Sequence, residues 1–420
     1  MVAVTQEKYR NELSFHDTLE QHRDFPRLIA LKIDAQRRGV HYTERALAHI
    51  DPQIHQLRTS SLFGSRDNSF QPVPQSLLLR DGTSVLADPT PLSQDPYIVD
   101  WEGDQFVLKE GDTQLEPIEI WQQPDYYRQV SASGVPLEHI VSARPQRLNV
   151  MQSSFCYFWA EEDGGCKYCD INTHNQAQQS QLRVPPQLRL QELTAAVGEA
   201  LKEPGRFTAI CLTGGSVLKG AELFDREVQL YIDTLQAIGE NFTTRKFPSQ
   251  LIASAFSEKQ LIRLYEETGL TSYTTDLEVL DESLFNWICP GKAKHVGYQE
   301  WRRRLIAAVD IFGRGNVGTG IVGGVELAQP HGFKTERDAL HATLDEAEAL
   351  AEKGVTTVHT VWVPRPGSQF HAQRAPSLDY YIRLAKGLQA LRVKYGLDVT
   401  FDDYRRCGNH PDSDLARLQG

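Results

Sequence analysis

Three closely spaced cysteines are the residues of this chain best suited to bind a metal. Cys156, Cys166 and Cys169 follow the pattern C-x9-C-x2-C, so a close pair comes after a longer reach from the first thiol. Three thiolates can hold an iron–sulfur cluster or a metal ion and leave one coordination position open, which catalysis needs. A structural site is normally closed by a fourth protein ligand. Tyr168 directly precedes the last cysteine, although zinc binding requires no aromatic residue there.

Two other interpretations of these cysteines stay open at this point. His174, five residues after Cys169, could complete a zinc site, or the thiols could be buried and inert. The remaining cysteines are Cys211, Cys289 and Cys407, which lie on distant parts of the chain. A second cluster would need all three parts to converge, so free thiols are expected there.

Unusual residues follow two of the predicted strands. Gly214, Gly215 and Ser216 come after the second strand, where two glycines would let the backbone approach a ligand closely. Asp276 and Glu278 come after the fourth strand, and their spacing puts both carboxylates on one face of extended backbone. An ordinary turn and a solvated strand end are the alternative interpretations.

Further candidates lie downstream. Arg302, Arg303 and Arg304 open the next predicted helix, and at least two of the three should belong to a charged helix face. The sixth strand and the loop after it carry His359, Trp362 and Arg365, which are candidate substrate contacts. A core tryptophan and a solvated arginine are equally good interpretations of the last two.

The elements that position these residues form a regular series. From about residue 146, six strand–helix repeats predict the α/β class and a parallel sheet with helices outside, a partial or full (β/α) barrel. Site residues should then lie at the carboxyl ends of the strands. We expect three regions: an α+β appendage over residues 1–145 with hairpin turns at its RDG and EGD steps, the barrel over 146–375, and a helical cap over 376–420.

Composition limits the partners. The 420 residues carry a formal net charge of −11, which argues against nucleic acid or an anionic membrane as the main partner. No apolar run of about 18 residues is present, and the N-terminus lacks a signal-peptide core. Six cysteines without a secretion signal favour a reducing compartment, so a cytoplasmic location is expected.

The cysteine loop resembles that of the radical S-adenosylmethionine (SAM) superfamily. That family usually spaces its cysteines C-x3-C-x2-C, so the longer first gap is a departure, and its aromatic residue, here Tyr168, lies near the adenine. The stretch from Gly320 to Glu326 and the proline-rich loop from Trp362 to Ser368 are similar to the biotin and lipoyl synthase branch. The long cysteine gap and the stretch from Cys289 to Lys292 resemble a little-characterised subgroup found beside nitrilases.

The resemblance implies ligand roles for particular residues. Cys156, Cys166 and Cys169 would ligate a [4Fe–4S] cluster whose fourth iron binds SAM. Gly214 and Gly215 match a Gly-Gly-Glu motif that meets the methionyl amino group, with Ser216 in place of the glutamate. Asp276 and Glu278 would contact the SAM ribose, and Arg304 the SAM carboxylate.

The implied reaction is reductive cleavage of SAM followed by hydrogen abstraction from a small-molecule substrate, in a rearrangement, a cleavage or C–C bond formation. A reductant such as flavodoxin or ferredoxin would supply the electron. Sulfur insertion is not expected, because residues 1–155 contain no cysteine and the strands that would carry further cluster ligands lack them. The alternative function is a non-catalytic zinc or iron–sulfur binding protein on a barrel scaffold.

Overall fold

The computed structural model describes residues 12–58, 73–172, 189–397 and 408–419. His174 and Cys407, which the zinc and second-cluster hypotheses invoke, lie outside the described residues. The described chain folds around two sheets that share one continuous apolar core.

The first sheet lies in the N-terminal part of the chain. Its strand order is β1-β4-β5-β6-β2-β3, and only the β1–β4 pair is parallel. The hairpin turns predicted at the RDG and EGD steps are confirmed, since they connect β2 to β3, β4 to β5 and β5 to β6. The elements are α1 (Phe15–Gln21), α2 (Arg27–Arg38), β1 (Val40–Tyr42), α3 (Glu44–Ala48), β2 (Leu77–Leu79), β3 (Ser84–Val85), β4 (Tyr97–Glu102), β5 (Gln105–Glu110) and β6 (Thr113–Ile120).

The second sheet carries the candidate site. Its order is β13-β12-β11-β10-β9-β8-β7, with β8 to β13 parallel and β7 antiparallel to β8. The sheet order ends at β13 and β7, so the described strands form an open, partial barrel and the fully closed alternative is not confirmed. The strands are β7 (Ser142–Arg144), β8 (Arg147–Ser153), β9 (Ala209–Gly214), β10 (Ser249–Ile252), β11 (Ser272–Thr274), β12 (Val317–Gly323) and β13 (Thr356–Val361).

Amphipathic helices connect these strands. Each helix begins where its sequence offers a cap or an apolar stripe; the Ser257 and Gln260 side chains, for example, form a reciprocal capping box at the start of α6. Two short helices, α7 and α8, lie between β11 and α9 and were not predicted, because their periodic runs are too brief to distinguish from a loop. The helices are α4 (Leu190–Ala200), α5 (Asp225–Gly239), α6 (Glu258–Glu267), α7 (Glu282–Ile288), α8 (Pro290–His295), α9 (Tyr298–Phe312) and α10 (Glu336–Glu352).

The C-terminal helices α11 (Leu378–Tyr395) and α12 (Pro411–Gln419) join the barrel to the N-terminal part. Lys32 Nζ on α2 lies 2.6 Å from Asp414 Oδ2 on α12, and both side chains are almost fully buried. Asp412 accepts from Arg392 NH1 on α11 at 2.9 Å and lies 2.7 Å from His359 Nδ1 on β13. Buried ion pairs therefore fix α12 against both α2 and the barrel.

No helix within the described ranges combines the length and the apolar character needed to cross a bilayer.

We expect Lys32→Met to lower the free energy of unfolding by about 3 kcal/mol, because it leaves the buried Asp414 carboxylate with only the Arg417 guanidinium, 3.5 Å away, as a cation. Equilibrium urea denaturation measures the change. Lys394→Met removes an exposed ion pair with Glu348 and serves as the matched control, with little change expected. Equal effects of the two substitutions would contradict the role given to the buried pair.

Candidate cluster and nucleoside site

The cysteine loop begins directly after β8, at the carboxyl end of the sheet. Cys156, Cys166 and Cys169 are all partly buried, and their thiols lie within electrostatic range of one another. Burial, with Cys166 as a further cause, raises the pKa of Cys156 to about 11 and that of Cys169 well above its usual value. Thiolates here would need a neighbouring positive charge, which bound iron supplies. The structure thus brings together the three predicted ligands.

Whether these thiols bind a cluster or a zinc ion stays a prediction at this point. Among the described residues, no group of three or more His, Cys, Asp or Glu side chains is placed to hold a metal ion. His174, the fourth ligand of the zinc hypothesis, lies outside those residues. Three neighbouring thiols are a donor set that an iron–sulfur cluster accepts, since each thiolate binds a different iron.

Asn172 holds the first cysteine in place. Its Oδ1 accepts a hydrogen bond from Cys156 N at 2.8 Å, and its Nδ2 donates to Cys156 O at 3.1 Å. At the other end of the loop, Ile171 N donates to Cys169 Sγ at 3.5 Å. Sequence reasoning missed Asn172, since an asparagine three residues after a cysteine carries no specific signal.

The two glycines after β9 allow the cysteine loop to approach. A Cβ on Gly215 would lie 2.5 Å from the Cys156 backbone, and one on Gly214 would lie 2.8 Å from Ser153 N. Ser216 O accepts from Tyr157 N at 2.9 Å, which adds a backbone link at the same place. The predicted close approach is present, but in this structure the partner is the cysteine loop.

A cavity of about 300 Å³ extends from the cysteine loop into the barrel. Tyr168, Cys169, Asp276 and Glu278, all predicted from sequence, line it. Gly214, Gly215, Ser216 and Arg304 are not among its lining residues, nor are Cys156 and Cys166. The predicted aromatic residue and the two carboxylates therefore share one space with a cluster thiol.

The two carboxylates are held in different ways. Asp276 Oδ1 accepts from Gly320 N at 2.8 Å, and burial together with Glu278 raises the pKa of Asp276 to about 6. Glu278 Oε1 accepts from Lys292 Nζ at 2.7 Å, and the same ammonium donates to Asp276 O at 2.7 Å. Glu278 has a φ of 68°, a conformation that costs a non-glycine residue energy and is enriched at functional sites.

Arg304 is the least exposed of the three arginines in α9. Arg303 is exposed and pairs with Glu300 and Glu258, while Arg302 pairs with Glu346 on the next helix. Arg304 NH1 donates to Ala255 O, just after β10, at 3.0 Å, and its Nε donates to Glu300 Oε1 at 2.7 Å. The contact of Arg304 with a SAM carboxylate stays a prediction.

A buried carboxylate that the sequence did not reveal lies behind Ser216. Glu227, in the first turn of α5, accepts from Val217 N at 2.7 Å, Ser254 N at 3.2 Å and Ser254 Oγ at 3.0 Å. Ser254 Oγ also donates to Ser216 Oγ at 2.8 Å, and burial raises the pKa of Glu227 to about 7. Its only sequence signal is an acidic residue in a first helical turn, which usually caps the helix.

Distant parts of the chain also line the cavity. Gln36, Leu86 and Asp88 from the N-terminal part line it, as do Asn409 and His410 just before α12. Trp362 and Arg365 line the same cavity, and Arg365 NH1 lies 2.9 Å from Asp88 Oδ2. No local sequence signal predicted these contributions from residues before 145 or after 376.

His359, the third candidate substrate contact, is placed differently. Its side chain is fully buried and pairs with Asp412 beneath α12. It is not among the residues that line the cavity, so the expectation of a substrate contact is wrong for this structure. A strand histidine that anchors another segment has the same local pattern as one that faces a ligand.

Comparison of the sequence with known proteins finds one relevant curated relative. Over 132 residues the chain is 29% identical to bacteriochlorophyllide c C-7(1)-hydroxylase of Chlorobaculum limnaeum. The matched segment covers 31% of this chain and 30% of the relative. The match therefore spans less than a third of that protein's length. No family model matches the chain.

Three solved structures are similar to this fold. Methylornithine synthase shares 16% identity over 62% of this chain and 72% of its own, with a TM-score of 0.38. A radical SAM methyltransferase from Sphaerobacter thermophilus is 14% identical, and the match covers 95% of this chain and 97% of that one, with a TM-score of 0.41. The cobalamin-dependent S-adenosylmethionine radical enzyme OxsB is 12% identical, and the match covers 77% of this chain and 50% of that one, with a TM-score of 0.35. All three superpositions are loose.

We expect Gly215→Ala to disrupt the cysteine loop, because the new Cβ would lie 2.5 Å from the Cys156 backbone. Iron bound per chain after anaerobic reconstitution should fall to less than half of the wild-type value. Gly239→Ala is the control, since its Cβ meets Phe247 at an ordinary 3.6 Å and should leave iron content unchanged. Full iron loading of Gly215→Ala would contradict the packing argument.

Proposed function

We propose that this protein is a radical SAM enzyme that uses a [4Fe–4S] cluster to cleave SAM reductively and abstract hydrogen from a small molecule. The observation that carries the proposal is the cavity in which Cys169 and Tyr168 lie together with Asp276 and Glu278. The same cavity therefore contacts Cys169, a proposed cluster ligand, and the two carboxylates proposed to bind the ribose.

The cysteine loop would hold the cluster through Cys156, Cys166 and Cys169 and leave its fourth iron for SAM. When bound, the cluster and SAM together supply a 5′-deoxyadenosyl radical, a reactivity that no side chain provides. The protein's own residues would bind and orient SAM and shield it from water. Tyr168 lines the adenine end, and Asp276 Oδ2 and Glu278 are acceptors for the ribose hydroxyls.

The methionyl end of SAM lies, in this proposal, between the β9 glycines and Arg304. The Gly215 N–H already donates to Ser153 O at 2.9 Å. Arg304 therefore carries the recognition in this proposal, because a guanidinium can donate two parallel hydrogen bonds to a carboxylate. Ser216 cannot supply the charge of the glutamate it replaces. Glu227, connected to Ser216 through Ser254, provides a carboxylate on that side.

The substrate would occupy the part of the cavity beyond the nucleoside. A volume of about 300 Å³ for the whole cavity suits small-molecule ligands. The Asp88–Arg365 pair, His410 and Trp362 are among its lining residues and offer charged and aromatic contacts. We propose Trp362 and Arg365 as substrate contacts, with the N-terminal part and the C-terminal cap closing the site.

A one-electron donor such as flavodoxin or ferredoxin would reduce the cluster in the cytoplasm. The non-catalytic zinc or iron–sulfur alternative is an outcome of the test that follows, and no contact described above favours it.

We expect anaerobically reconstituted protein to bind about four irons per chain and, with dithionite, to convert SAM into 5′-deoxyadenosine, measured by chromatography. Alanine substitution of Cys156, Cys166 or Cys169 should abolish both results. Cys211→Ser is the matched control for iron content, because Cys211 is a buried thiol on β9 that lines the same cavity but lies outside the cysteine loop. A colourless protein that binds zinc, or one that binds iron without cleaving SAM, would contradict the proposal.

The raised pKa of Asp276, about 6, predicts a pH dependence of nucleoside binding. An ionised carboxylate is the better acceptor for a ribose hydroxyl, so affinity should be full above pH 7 and fall as the pH drops through 6. At pH 5 about nine tenths of the groups are protonated, and the affinity for S-adenosylhomocysteine should be about tenfold lower. Calorimetric titration measures it. Asp276→Asn should bind weakly at every pH, and a variant that keeps the step near pH 6 would assign it to another group.

A further inference from the structure

The turn from Cys289 to Lys292 packs directly on the cysteine loop. Lys167 N donates to Ile288 O at 2.9 Å, and Gly291 N donates to Gly164 O at 3.0 Å. A Cβ on Gly291 would lie 2.4 Å from Gly164 O, so only glycine permits this approach. Two backbone hydrogen bonds thus fix the turn to the loop on either side of Cys289.

Lys292, at the other end of the turn, reaches the nucleoside carboxylates. Its side chain is only 10% exposed, its ammonium donates to Glu278 Oε1 and Asp276 O, and it lies 4.5 Å from the centre of the Trp301 ring. These contacts hold Glu278 in its left-handed conformation at the cavity wall.

We propose that the Cys289–Lys292 turn couples the cluster loop to the nucleoside end of the cavity. Lys292 is a positioning residue that holds Glu278, and the backbone contacts of Ile288 and Gly291 hold the turn on the cysteine loop. The inference rests on the proposed function, because it assigns a role toward the nucleoside.

Calorimetry on iron-loaded protein tests the role of Lys292, with S-adenosylhomocysteine as the probe. Lys292→Met should weaken binding at least tenfold, and Lys292→Arg, which keeps the charge, should recover part of the loss. Lys294→Met is the matched control on the same helix, since Lys294 is exposed and pairs with Glu161; its affinity should equal that of the wild type. Binding within twofold of wild type in iron-loaded Lys292→Met would overturn this role. If Lys292→Met does not fold, unchanged binding in Lys292→Ala or a full loss in Lys292→Arg would do so.

The outcomes separate this inference from the proposed function. If wild-type protein binds no cluster or does not cleave SAM, the proposed function fails. If wild-type protein does both and iron-loaded Lys292→Met binds S-adenosylhomocysteine as the wild type does, only the positioning role fails.

Discussion

Close backbone packing of the cysteine loop against the end of β9 and against α8 is the constraint on which this site depends. Gly215 and Gly291 each lie where a Cβ would overlap the loop, one beside Cys156 and the other beside Gly164. Hydrogen bonds from Tyr157 N and Gly291 N complete the contact on both sides. The two contacts fall at the beginning and near the end of the ten-residue reach from Cys156 to Cys166, so both ends of that reach are held in place.

The electrostatics of the site follow from burial. Asp276, Glu278 and Glu227 are carboxylates with little access to water, and each is stabilised by backbone N–H groups, serine hydroxyls or the Lys292 ammonium. Lys292 is the cation that makes the carboxylate pair after β11 tolerable, since it contacts both Glu278 and the backbone of Asp276. The proposed sulfonium ligand is a cation and would benefit from such a negative, partly neutralised wall.

The sequence predicted those parts of the site whose signal is local. One short segment carries the cysteine spacing and Tyr168, and another carries the pair Asp276–Glu278. Hydrophobic periodicity predicted the parallel strands and their helices. The Gly214–Gly215 pair predicted that another group approaches the backbone closely. It did not identify that group, since either another backbone segment or a ligand could fill the space. His359 was misassigned because its partner, Asp412, lies far along the chain.

The missing parts arise from tertiary contacts. Asp88 pairs with Arg365, Lys32 with Asp414, and Lys292 with Glu278, and none of these pairs has a fixed sequence spacing. The N-terminal part therefore had no readable role in the sequence, although Gln36 and Asp88 form part of the cavity wall. Helices α7 and α8 were not predicted for a similar reason. They flank the turn at Cys289, and that turn is defined only by its packing on the cysteine loop.

The central claim is that three thiolates hold a cluster with one iron open to SAM. Electron paramagnetic resonance of the dithionite-reduced, reconstituted protein, recorded with and without SAM, tests it most directly. The account predicts a [4Fe–4S] signal whose g-values change when SAM is added, because the nucleoside binds the open iron. A signal that SAM leaves unaltered, or a protein that takes up zinc in place of iron, would contradict it.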